Sequence, residues 1–171
     1  MTRFALIFLA LAPLAALGAA PKATGFAPLD YFDANCARCH GPNGSFFGAG
    51  FAKGLKDDAA LLDMVHQMTE GPGNAPLSAA NLEVLTNFHR SLRDGKPYLV
   101  LVSVGKTTKG IILRGEATPE AKITLENGKN VRAVKLEGHK WSVSLAAGFN
   151  FKNASLRAVK SGRETRVPLV K

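Results

Sequence analysis

The chain has 171 residues, 46% hydrophobic and 20% charged, with 17 Gly and 9 Pro, a composition that excludes a disordered or collagen-like polymer and a length that allows one domain or two small ones. Basic side chains outnumber acidic ones by 22 to 13, and the excess is uneven: residues 98–171 hold 14 Lys/Arg and 5 Asp/Glu, residues 1–97 hold 8 of each. Such asymmetry predicts two units with different surfaces.

Arg3 is followed by an apolar run of 14 residues, Phe4 to Leu17, and then by Gly18-Ala19-Ala20. A charged start, a short apolar stretch and small residues form the pattern of a secretory signal peptide, and the run is too short for a membrane helix of about 20 apolar residues. The expected division is residues 1–20 as the signal, with cleavage after Ala20 or Gly18. No later run is apolar and long enough to span a bilayer. The mature chain is therefore expected in the periplasm, without an integral membrane segment.

Residues 21–97 carry helical signals. Pro28-Leu29-Asp30-Tyr31-Phe32 opens a helical pattern that runs into Cys36. Cys36-Ala37-Arg38-Cys39-His40 is C-x-x-C-H, the string that attaches a c-type haem. Two thiols at this spacing can bond to two vinyl groups of one haem, and the next residue, His40, then lies under the iron as proximal ligand. A disulfide between Cys36 and Cys39 is an alternative in an oxidising compartment. A zinc site is another, with His66 and His89 as further ligands, although their spacing matches no standard zinc module.

A glycine-rich loop follows, carrying Phe46, Phe47 and Phe51, whose expected role is packing on a haem edge. Asp57-Asp58 can cap a helix in which Leu61, Leu62, Val65 and Met68 recur at helical spacing, stopped by Gly71-Pro72-Gly73. Ser78 is the N-cap expected for a last helix bearing Leu82, Leu85, Phe88, His89 and Leu92 on one face.

Tyr31-Phe32-Asp33-Ala34-Asn35 with the C-x-x-C-H string and Gly41-Pro42-Asn43-Gly44, together with the helix Leu77–Leu92, resembles class I cytochrome c over residues 26–94. The resemblance implies an all-α haem domain (21–97) holding one covalently attached haem c on Cys36 and Cys39. It also implies His40 as axial ligand and Pro42 packed against that histidine. The family places a distal methionine before a proline, and this chain has Ala75 there, ahead of Pro76. Alanine cannot ligate iron. Met68 is the expected distal ligand, with Met64, His66, Asn74, His89 or an empty position as alternatives.

From Tyr98 the period changes to that of strands. Tyr98–Val104, Ile111–Leu113, Ala121–Leu125, Val131–Leu136, Trp141–Leu145, Ser155–Val159 and Thr165–Val170 are expected strands, and Asn127-Gly128 marks a hairpin. Residues 112–129, continued by Trp141-Ser142-Val143-Ser144-Leu145, resemble bacterial immunoglobulin-like repeats. The fold class that results is two domains, an all-α class I cytochrome c fold followed by an all-β Ig-like sandwich (98–171). This sandwich shows no Ser/His/Asp set or carboxylate pair, and His139 is expected in a loop.

The function these features imply is an exported monohaem c-type cytochrome, a one-electron carrier or electron-transfer subunit rather than an enzyme. Its basic sandwich would dock a redox protein through an acidic surface, and no motif points to nucleic acid. A haem protein whose open distal site binds or senses a small ligand is the alternative.

Overall fold

The computed structural model describes residues 21–48, 50–52, 54–55 and 57–170; the expected signal peptide lies outside them. Four helices come first: α1 (Pro28–Asn35), α2 (Ala37–His40), α3 (Asp58–Glu70) and α4 (Ala79–Asp94). Eight strands follow: β1 (Leu99–Thr107), β2 (Gly110–Ala117), β3 (Lys122–Asn127), β4 (Asn130–Val134), β5 (Leu136–Glu137), β6 (Lys140–Ala146), β7 (Ala154–Lys160) and β8 (Arg163–Pro168).

Three of these helices carry local start signals. Pro28 pre-sets the first turn of α1, which turns Leu29 and Phe32 inward at i, i+3. Asp57 caps α3 by accepting the Ala59 N–H at 3.0 Å, and Leu61, Val65 and Thr69 recur inward every fourth residue. In α4 the Ser78 hydroxyl accepts the Asn81 N–H at 3.3 Å, and Gly95 ends the helix in the left-handed conformation at φ 63°. Ser78→Ala is expected to cost about 1 kcal/mol, read as a lowered denaturant midpoint with unchanged slope.

The strands form two antiparallel sheets, in the orders β1-β2-β6-β5 and β4-β3-β7-β8. Their inner faces share one core in which Leu113, Leu125, Trp141 and Leu156 are among the buried residues. Strand β6 shows the period: Trp141, Val143 and Leu145 point in, while Lys140, Ser142 and Ser144 point out. The Asn127-Gly128 hairpin forms as expected, with Asn127 opposite Asn130 and Gly128 at φ 59°. The single strand expected over Val131–Leu136 is instead two, β4 and β5, which pair in different sheets.

The expected plan of an all-α cytochrome domain followed by a separate immunoglobulin-like sandwich requires correction. Strand β1 belongs to both parts. Leu99 and Leu101 face the core between the sheets, whereas Val100 and the preceding Tyr98 complete the core of the helices alongside Leu29, Phe32, Leu85 and Phe88. Val102 keeps the parity of Val100 and packs on the helical core; the bulge between Leu101 and Ser103 then shifts it, so that Val104 packs on the sandwich core. The helices do not close a core of their own; their missing wall is a β-strand.

Two further ties join the parts. The N–H groups of Thr24 and Gly25 donate to the carbonyls of Leu101 and Val102, both at 3.0 Å. The Glu116 carboxylate of β2 accepts the Leu29 and Asp30 N–H groups at the start of α1, at 2.7 and 3.0 Å. The architecture is thus a mixed α and β body, with short helices packed on one end of a two-sheet stack.

Candidate functional site

The site is built around the turn that holds both cysteines. Cys36 ends α1 and begins α2, and its carbonyl accepts the N–H groups of Cys39 and His40, each at 3.1 Å. One helical turn therefore brings Cys36, Cys39 and His40 together. Cys36 is half-buried, Cys39 is exposed, and both are free thiols. Burial, aided by the neighbouring Cys39, pushes the Cys36 thiol up from its ordinary value. The loop beyond is anchored by Asp33, whose carboxylate accepts the Asn43 N–H at 2.8 Å, and by the Phe46 N–H donating to the His40 carbonyl at 2.9 Å.

This turn forms one wall of a cavity of about 260 Å³. Phe32, Cys36 and His40 line it from α1 and α2. Phe47, Phe51, Ala52 and Leu55 come from the loop. Leu61, Met64, Val65, Met68 and Thr69 come from α3, and Leu85 and His89 from α4. The lining is mostly apolar, with a small set of sulfur and nitrogen atoms, a make-up common to small-molecule pockets. Met64 and Met68 are each 41% exposed, two of the few large apolar side chains on α3 and elsewhere that the described fold leaves uncovered.

Aromatic rings define the pocket further. Phe47 lies against the His40 imidazole at 4.7 Å between centroids, tilted by 30°. Phe51 packs on Phe47 at 4.2 Å. Phe32 is wholly buried and meets Phe88 edge-on at 5.2 Å, which fixes where α1 crosses α4. Phe46, by contrast, is 70% exposed and points away from the lining.

His89 is 8% exposed, and its Nδ1–H donates to the Leu85 carbonyl at 3.0 Å. Burial is the main cause that lowers its pKa to about 4, with the nearby His40 adding to it. It stands neutral in the wall, with Nε2 as the unprotonated nitrogen.

The other sequence candidates fall into place around this cavity. Met68 and Met64 line it, and Asn74 does not. His66 lies on the outer side of α3, paired with Glu70 at 3.1 Å. Pro42 is exposed and outside the lining; the side chain that packs on His40 is Phe47. Ala75 is held by its backbone, its N–H donating to the Thr69 carbonyl at 2.8 Å and its carbonyl accepting the Tyr31 hydroxyl. Among the described residues, no further His, Cys, Asp or Glu converges on Cys36 and Cys39 to complete a zinc set.

One polar cluster was not foreseen. Asp30, Glu116 and His139 gather where α1 meets β2 and the turn before β6. His139 Nε2 lies 2.8 Å from Asp30 Oδ1, and Lys140 Nζ lies 2.9 Å from Asp30 Oδ2. Glu116 is 2% exposed. Burial pushes its carboxyl up, against the pull of the two backbone N–H groups that it accepts. His139 looks isolated in the sequence because its partners are 23 and 109 positions away.

No family model matches the chain. No curated protein matches it either. The resemblance to class I cytochrome c over residues 26–94, joined to a bacterial immunoglobulin-like domain, therefore fails as a family assignment, and the shared β1 wall separates this chain from that two-domain plan.

Proposed function

We propose that the chain carries one covalently attached haem c in the cavity beside Cys36, Cys39 and His40, and that it transfers single electrons as a carrier or as a subunit of a larger oxidoreductase in the periplasm. The observation that carries this reading is the C-x-x-C-H turn set in the wall of an apolar cavity. The residues present fit the group. Two free thiols and an imidazole share one turn, and uncovered methionines and stacked phenylalanines line the space beside it.

A haem so held would supply a one-electron redox centre whose potential depends on the residues that ligate it and on burial. The chain's own residues do the rest. Cys36 and Cys39 would tether the group, and His40, braced by Phe47, would offer its imidazole as a ligand. Phe32, Leu61, Val65 and Leu85 exclude water from the inner side, which favours the less charged state. Met68, which lines the same cavity, would be the second protein ligand. The excess positive charge of residues 98–171 would steer an acidic redox partner toward the protein at long range, without itself forming the electron-transfer contact.

A second reading has a specific support. Ala75 stands where a methionine would be needed, and its backbone bonds hold that segment outside the cavity lining. If Met68 does not ligate, the distal side is open to a small neutral ligand.

The test is an optical spectrum of the purified protein, oxidised and reduced, before and after carbon monoxide, with the mass of the denatured chain. Haem absorbance that stays with the denatured chain, and a mass raised by one haem, are the expected results. A chain without haem overturns the proposal. A spectrum unchanged by carbon monoxide but altered in Met68→Ala supports electron transfer with Met68 as ligand. A carbon monoxide-shifted spectrum favours the ligand-binding reading.

A further inference from the structure

The charge of the strand region is concentrated at one end of it. Most cations along the strands are engaged: Lys135 with Glu137, Lys140 with Asp30, Lys160 with Glu120, Arg157 with Glu164 and Arg166 with Glu126. Arg132 and Arg163 donate to the carbonyls of Ser144 and Asp94. Among the described residues, Lys106, Lys109, Lys129 and Lys152 have no side-chain partner, as do Arg114 and Lys122 further along the sheets.

The topology brings those four lysines to one place. Lys106 and Lys109 flank the β1–β2 turn, where Thr107 pairs with Gly110 and Gly110 with Ala146. Lys129 occupies the β3–β4 turn. Lys152 lies in the β6–β7 loop, which is tied to β3 by the Asn127 side chain donating to the Asn150 carbonyl at 3.2 Å. All four are exposed, and these three connections contain no Asp or Glu. Nothing neutralises the end locally.

This end is also remote from the cavity. Strand β1 leaves the helical core at Val100 and Val102 and reaches the lysines at Lys106. At about 3.3 Å per residue, that places them roughly 20 Å beyond Val100, past the strand-built wall of the helical core. A partner seated on the lysines does not meet the cavity mouth, so this patch is a tether and not an electron-transfer contact.

The chemistry of the patch favours one kind of surface. Arginine forks fix carboxylates at defined points on a protein partner, and these loops carry no arginine. The one aromatic of the β6–β7 loop that could act as an anchor, Phe149, packs edge-on against Phe151 at 5.0 Å. Four compact ammonium groups on three separate loops make a diffuse positive field instead. Such a field matches laterally mobile phosphates at a membrane surface, where each nearby lysine adds to the attraction.

We propose that the Lys106/Lys109/Lys129/Lys152 end binds the headgroups of an anionic bilayer, so that the protein lies at a membrane surface with its cavity turned away. The inference does not depend on haem, and its assay does not read haem.

The experiment is co-sedimentation of the purified protein with vesicles of phosphatidylcholine and phosphatidylglycerol in equal parts, and with phosphatidylcholine alone, at low and high salt. Binding is expected only to the anionic vesicles and only at low salt. A variant with all four lysines changed to glutamine is expected to bind up to about a thousandfold more weakly. A control variant, with Lys96, Arg114, Lys122 and Lys135 changed to glutamine, loses the same charge elsewhere and is expected to keep most of the affinity. No binding to anionic vesicles overturns the proposal, as does an equal loss in the control, which would make net charge the cause. Retention on a poly-glutamate resin without vesicle binding overturns it as well, in favour of an acidic protein partner.

Discussion

Replacing Glu116 with alanine is expected to destabilise the protein by about 3 kcal/mol, a fall in Tm of about 10 °C for a chain of this size. Helix α1 begins without a cap of its own: Ala27 precedes Pro28 and offers no side-chain acceptor. The free N–H groups of Leu29 and Asp30 are satisfied instead by a carboxylate from β2, 86 and 87 residues away. Removing it orphans two buried donors and takes negative charge from a helix N-terminus. Glu116→Gln separates these two causes. The amide keeps one acceptor and the shape of the side chain, and it removes a charge that burial disfavours. Its NH2 then faces the other backbone N–H, so the variant is expected to cost about 1–2 kcal/mol, less than the alanine change but not neutral. Thermal melts of the two variants decide the matter. If the alanine variant melts within 1 °C of the parent, α1 does not depend on this cap.

The Glu116 cap also illustrates what was legible in the sequence. Local signals hold where the cause is local. Ser78 caps α4, Asp57 caps α3, and Gly128 takes the left-handed conformation of the hairpin turn. That Cys36, Cys39 and His40 lie together is legible in the sequence because one helical turn brings them together whatever else the chain does. Long-range partners leave no such trace. A lone glutamate in a strand, a histidine beside a glycine and an aspartate in a first turn have no periodicity that links them.

The domain plan failed for a related reason. The run Tyr98-Leu99-Val100-Leu101-Val102 is apolar at every position, where a strand with one solvated face would alternate. That pattern is the mark of a strand buried on both sides, and it predicts a second layer over β1. Taken only as the first strand of a sandwich, it places a boundary at the point where the helices are in fact completed. The division of Val131–Leu136 into β4 and β5 could not be foreseen from pattern, because Lys135 lies between two strands that belong to different sheets.

Acidification is expected to weaken the fold through His89. In the unfolded chain this imidazole takes up a proton near its ordinary pKa of 6.5, whereas in the native wall burial delays protonation to about 4. Between those values the unfolded state binds more protons, so stability falls as the pH falls. The contribution is fully present above about pH 6.5 and lost progressively down to about pH 4, with an upper size of roughly 3 kcal/mol. The geometry explains why the ring stays neutral. Its Nδ1–H is spent on the Leu85 carbonyl, and Phe32 and Phe88 meet it edge-on at 5.6 and 5.3 Å, leaving no acceptor for a second proton among them. Melting temperatures measured from pH 7 to pH 4 for the parent and for His89→Leu are expected to diverge, with a flatter profile for the variant. The lowered carboxyl groups of Asp30 and Asp58 act at still lower pH, below their ordinary value of 3.8, and are common to both proteins. Parallel profiles would mean that His89 is protonated as readily in the native wall as in water. The cavity beside His40 would then be wetter than its apolar lining implies, and the same measurement therefore bears on whether the pocket can exclude water from a bound redox group.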